Sequence, residues 1–148
     1  MTPTWGDFAA AEPELAAFVA GRLSAAPSYL ATIRANGALR VHPVTPIFTA
    51  DGLYLFMEPT SPKGTDLRER GHFALHNGVP DNAGTGGEAS VAGNGHPVDD
   101  PAVRATVVAA STYSPADQYV LFELRPAEVR ANGYGDVELP ERRRWRAR

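Results

Sequence analysis

Cysteine is absent from the 148 residues, which excludes disulfides, thiolate metal sites and a cysteine nucleophile. Long hydrophobic runs are absent too: none approaches the roughly 20 apolar residues needed to span a bilayer. Met1 to Asp7 has no basic stretch leading into an apolar one, so neither a membrane nor a signal peptide is expected, and the cytoplasm is the default compartment. Nor is there an excess of positive charge. Fourteen basic against seventeen acidic residues leave a net charge of -3, with no general pull toward nucleic acid. The one basic cluster, Arg142, Arg143, Arg144, Arg146 and Arg148, reads as a solvated tail. What is present is ordinary for a folded, water-soluble protein: 43% hydrophobic and 21% charged residues. At this length one core is the economical arrangement, because each of two halves would be too small to bury enough surface.

Local patterns divide the chain into a helical region over about 1–26 and a strand-rich region over about 27–148. Glu12-Pro13-Glu14 opens a helix, since proline suits the first helical position and carboxylates suit the positive end of the dipole. Leu15, Phe18, Val19 and Leu23 form its apolar face. Tyr29 to Ala35 then reads as a strand turning at Asn36-Gly37, a dipeptide suited to a tight hairpin. The second strand, Leu39 to Phe48, places Arg40, His42, Val44 and Phe48 on one side. Its Pro43 and Pro46 cannot donate to a ladder, which predicts a bulge or an edge position. Asp51-Gly52 turns into a third strand, Leu53 to Glu58, completing a meander. Ser61-Pro62 starts a helix running to Arg70 and ending at Gly71. His72 to His76, Glu88 to Gly93 and Tyr119 to Leu124 are three further strands, with a loop over 77–87 and a helix beginning at Asp100-Pro101. Six strands in largely hairpin order, with short helices between them, predict a mainly β protein: a closed or partly closed antiparallel barrel.

Chemistry concentrates at Thr60 to Lys63. A cation in the first turn of a helix opposes the macrodipole by roughly 0.3 to 1 kcal/mol. A bound anion would offset that cost, because free backbone donors, the Ser61 hydroxyl and the Lys63 ammonium could converge on one phosphate. Other signals are weaker. His72 and His76 have the spacing of a zinc pair on a helix, but on a strand they lie about 13 Å apart, so no metal site is expected. His42 shares the Arg40 side of its strand and reads as structural unless a ligand lies there. The serines lack a nucleophile-elbow context, and neither glycine stretch follows a strand and opens a helix in the dinucleotide pattern.

The run Leu39-Arg40-Val41-His42-Pro43-Val44-Thr45-Pro46, the hairpin through Asp51-Gly52-Leu53-Tyr54-Leu55-Phe56, and Ser61-Pro62-Lys63-Gly64-Thr65-Asp66-Leu67 together carry a resemblance. With the late strand and Trp145, the chain from Pro27 to Trp145 resembles the pyridoxamine 5'-phosphate oxidase-like, FMN-binding split-barrel superfamily, which includes deazaflavin-dependent reductases and heme-binding relatives. The resemblance implies a six-stranded antiparallel split barrel. It implies that Ser61 and Lys63, helped by Arg40, hold the cofactor phosphate, and that the ring lies near Val44, Thr45, Phe56 and Met57. It implies a homodimer with a cleft built from both subunits, Trp145 capping the partner's cleft, and FMN or F420, with heme a lesser option, as the cofactor. The implied activity is hydride transfer to or from a small organic substrate, with no catalytic side chain because the cofactor carries the chemistry; a non-catalytic flavin, F420 or heme binder is the alternative. Pro62 stands where the vitamin-forming oxidase pairs an arginine with the lysine, and that enzyme's histidine and arginine motif is missing, so vitamin B6 synthesis is not implied.

Overall fold

The computed structural model describes residues 2–148. The expected helical region over about 1–26 holds two helices where one was located: α1 (Trp5–Ala11) comes first and is fixed by a capping box. The Asp7 amide donates to Thr4 Oγ1 at 3.1 Å and the Thr4 amide donates to Asp7 Oδ2 at 3.0 Å, each satisfying a donor the first turn leaves free. α2 (Pro13–Ser24) starts at the anticipated proline and buries Leu15, Ala16, Val19 and Leu23. Then follow β1 (Ser28–Ile33), β2 (Leu39–Val44), β3 (Ile47–Phe48), β4 (Leu53–Met57), α3 (Pro62–Arg70), β5 (His72–Asn77), β6 (Glu88–Pro97), α4 (Pro101–Ala110), β7 (Val120–Asn132) and β8 (Arg144–Arg146). Among the described residues no helix is long and apolar enough to cross a membrane.

All strand pairs are antiparallel, in the order β2-β1-β5-β6-β7-β4-β3, with β8 paired to β7. This order corrects the anticipated meander. Leu39 to Phe48 is two strands that occupy opposite edges of the sheet, broken at Thr45-Pro46. A flat sheet would hold those edges about 29 Å apart, from six spacings of about 4.8 Å. Three chain steps from Val44 to Ile47 reach only about 11 Å. The sheet must therefore curl until its edges meet across the elbow, and the result is a barrel split along that seam. The prolines act as anticipated: Pro43 sits on the edge strand, opposite Tyr29, where its missing donor leaves no ladder bond unmade.

Among the described residues there are eight strands where six were expected, for two physical reasons. One is the break at Pro46. The other is the arginine run, which is not a free tail: β8 lies on β7, and Arg144 and Arg146 both donate to Glu128. Between them Trp145 packs on Phe8 of the same chain, with ring centroids 4.9 Å apart, so its ring is engaged within its own subunit. β7 is also longer than anticipated, continuing through Pro126. That proline faces Gly93 at a register shift between Ala92 and Gly93. A Cβ on Gly93 would lie 2.0 Å from the Arg125 carbonyl oxygen, so only glycine allows the bulge.

The barrel interior is one apolar cluster that includes Phe8, Leu30, Leu55, Leu75, Val91, Phe122 and Leu124. A smaller cluster of Ile47, Tyr54, Val107 and Leu121 lies on the outer side of β4, beneath α4. The outer side of β1, β2 and β5 is uncovered: Leu39 is 70%, Val41 65% and Tyr29 48% exposed.

Candidate functional site at the split-barrel seam

In an antiparallel ladder, directly paired residues share a face. Arg40 pairs with Thr32, His42 with Leu30 and Val44 with Ser28, and all three β1 partners are buried. Arg40 and His42 therefore stand on the barrel's inner face, at the edge strand, where the seam lets water in. The N-terminus of α3 comes to the same place. Ser61 is its N-cap, 7% exposed, and its hydroxyl does not cap the helix. That oxygen instead accepts a hydrogen bond from Lys63 Nζ at 3.2 Å, the one hydrogen bond made by this ammonium among the described residues.

Lys63 is the chain's only lysine, beside thirteen arginines. Its ammonium is held below the usual lysine range by burial and then by the positive charge of Arg40. His42 is likewise lowered, by burial, by Lys63 and by Arg40. Three bases thus crowd one inner corner at the positive end of a helix dipole. No carboxylate lies within ion-pair reach of Lys63 among the described residues. Such a corner is poised for a multiply charged anion.

Arg40 is anchored from behind. Its Nε donates to Asp66 Oδ2 at 2.8 Å, the Thr32 hydroxyl donates to the same oxygen at 2.7 Å, and Arg70 Nη2 donates to Asp66 Oδ1 at 3.1 Å. Arg70 Nε also donates to the Ile33 carbonyl at 2.7 Å, tying α3 to β1. Burial alone would raise the Asp66 carboxyl; the bonds from Arg40 and Thr32, the Arg40 charge and the bond from Arg70 outweigh it and hold the group below its ordinary range.

The seven residues singled out in the sequence fall into separate groups. Arg40, Ser61 and Lys63 come together. Val44 and Met57 lie in the inner core, 9% and 2% exposed. Phe56 takes the opposite side of β4, as a strand's period of two requires, and carries the Arg104 guanidinium 5.0 Å over its ring. Thr45 is exposed at the elbow and lines a groove of about 330 Å³ with Ser24, Pro27, Pro46, Phe48 and Ala110. Among the described residues no charged side chain lines that groove. Val44 and Met57 thus share the inner side, whereas Thr45 and Phe56 lie apart from them. Sequence reasoning missed Thr32, Asp66 and Arg70 and treated His42 as structural. The signal that did mark the corner is the single lysine of the chain, two residues after the serine at the N-cap position of α3. Among the described residues no group of three histidine, aspartate or glutamate side chains could hold a metal ion.

No protein-family model matches the chain, and no curated protein matches it in sequence. Its architecture does match solved structures. A candidate pyridoxamine 5'-phosphate oxidase from Listeria innocua superposes with a TM-score of 0.65 over 82% of this chain and 97% of that one, at 13% identity. This chain has the pyridoxamine 5'-phosphate oxidase-like split-barrel fold. Two other split barrels are named for heme. The heme storage protein HutZ from Vibrio cholerae gives a TM-score of 0.64 at 17% identity, over 84% of this chain and 96% of its own. A heme-binding protein from Mycobacterium smegmatis gives 0.66 at 20% identity, over 91% of this chain. The present chain spans 57% of that mycobacterial protein's length.

Proposed function

We propose that the seam binds a phosphorylated redox cofactor, FMN or F420, and that the protein is an oxidoreductase moving hydride to or from a small organic substrate. The observation carrying this reading is the corner of Ser61, Lys63, Arg40 and His42, where among the described residues no carboxylate pairs with Lys63 and the one that pairs with Arg40 holds only its Nε. When bound, such a cofactor supplies the hydride chemistry itself. The chain's own part is to fix the phosphate with Lys63, Ser61 and the outer nitrogens of Arg40. The uncharged groove at Thr45 offers apolar surface and hydroxyls to a ring or a small neutral substrate, and excludes charged ones because it holds no counter-ion for them. Replacing Lys63 by alanine weakens FMN or F420 binding by at least about tenfold, the loss of one charge-assisted hydrogen bond, read by fluorescence titration. Unchanged affinity for whichever cofactor binds would remove the phosphate assignment.

A second reading, a non-catalytic flavin, F420 or heme binder, is favoured by the two heme-named neighbours; carboxylates of a tetrapyrrole suit the same cations. Acceptor-dependent reoxidation of the bound, reduced cofactor separates the two, since a binder shows none. For the assembly we propose a homodimer through the uncovered outer face, where Leu39, Val41 and Tyr29 form an apolar ridge beside the small side chains of Ala31 and Ala74. Sedimentation of Val41→Glu, which places a charge in that ridge, should give a monomer.

A further inference from the structure

We propose that Asp66 is a positioning residue that raises the site's affinity for a phosphate by aiming Arg40 at it, despite carrying the same sign of charge as the ligand. The inference rests on reading the seam as a phosphate site and assigns to α3 a second task within it. A free arginine side chain has rotamer entropy to lose on ordering. Here part of that loss is already incurred in the folded chain, because Nε is fixed to Asp66 Oδ2 at 2.8 Å. Neither Nη of Arg40 donates to any group among the described residues, and its side chain is 25% exposed. The guanidinium therefore has its inner edge anchored and its outer nitrogens available.

Asp66 is itself held rigidly. It is 4% exposed, lies one turn after Lys63 on the same helix, and both its oxygens are engaged, one by Thr32 and Arg40 and the other by Arg70. A buried carboxylate with this many donors cannot shift without leaving several of them unpaired. The helix that presents Ser61 and Lys63 thus also fixes Arg40 on β2, so that cations from two elements keep one relative position.

Coulomb's law alone and this arrangement predict opposite signs. If Asp66 acted only through its charge, Asp66→Asn would make the corner more positive and phosphate would bind more tightly. If it acts by positioning, the same change replaces one of the two acceptor oxygens by a donor, the amide can no longer hold Arg40, Thr32 and Arg70 together, and the loosened Arg40 binds phosphate less well. The test is titration of wild type, Asp66→Asn, Arg40→Ala and the double variant with inorganic phosphate, followed by NMR of the Ser61 and Lys63 amides, with Lys63→Ala as the control. We expect Asp66→Asn to weaken phosphate binding by about fivefold to tenfold, and to add nothing once Arg40 is gone, because residues acting through one contact are not additive. Equal or tighter binding by Asp66→Asn, or independent losses from the two changes, would overturn the positioning role. Phosphate binding that is absent in wild type or indifferent to Lys63→Ala would overturn the phosphate site itself, and this role with it. A general loss of structure is separated by Arg70→Ala, which disturbs the same carboxylate but should leave the Arg40 contact and most of the phosphate affinity in place.

Discussion

Asp66 and Glu128 are each surrounded by arginines, yet they are put to different uses. Asp66 has Arg40 and Arg70 with the Thr32 hydroxyl, and its side chain is 5% exposed. Glu128 has three arginines, Arg130 at 2.7 Å, Arg144 at 3.0 Å and Arg146 at 2.6 Å, but its side chain is 26% exposed and those arginines are about half exposed or more. The number of partners is similar and the surroundings are not. In water an ion pair gains little, because solvent competes for both charges. Out of water the attraction is offset by the cost of desolvating both charges, but removing one member strands the other. The inner network therefore fixes geometry, whereas the outer one only biases where β8 lies.

Three measurements test whether burial is what separates the two networks. The largest effect should come from Asp66→Ala, which strands two arginines and a hydroxyl and should lower unfolding free energy by about 3 kcal/mol in urea titration. Glu128→Ala should cost less than about 1 kcal/mol; similar losses for the two would mean that burial is not what distinguishes them. Next, raising salt to 1 M should cancel most of the Glu128 effect, since the screening length falls to about 3 Å, and should leave the Asp66 effect largely intact. The smallest is a pH effect. Both carboxyls are held low in the folded chain, Asp66 as described and Glu128 chiefly by the Arg146 bond. A lowered folded pKa means stability that is present above the unfolded value, near 4, and is lost as pH falls through the folded value. Asp66→Asn should therefore flatten the acid limb of the stability profile below about pH 4, and Glu128→Gln should flatten it less.

Much of the barrel was legible because its signals are local. Asn36-Gly37 and Asp51-Gly52 each mark a turn by backbone chemistry, and Pro13, Pro62 and Pro101 each stand at the first position of a helix. The seam was not legible. Leu39 to Phe48 reads as one strand because its alternation continues across Pro46, and only the strand order shows that its halves lie at opposite edges. The site divides the same way. Ser61 and Lys63 were readable from a serine, a proline and a cation in sequence. Asp66 was not, because its partners Thr32 and Arg40 are 34 and 26 residues away. The ring contacts came from the resemblance, as the neighbouring pairs Val44-Thr45 and Phe56-Met57, and alternation puts such neighbours on opposite faces.

The elbow at Thr45-Pro46 also bears on how the sheet resists error. In an open sheet the outermost strand has one neighbour, and a slip of its register disturbs that pairing alone. Here the two outermost strands are one covalent segment, so moving β2 along β1 drags β3 along β4. A single-step slip also turns every side chain to the wrong face, exposing interior residues at both ends of the strand order simultaneously. The ladder behaves as a ring with no loose end, and its alignment is checked from two directions by a linker of two residues.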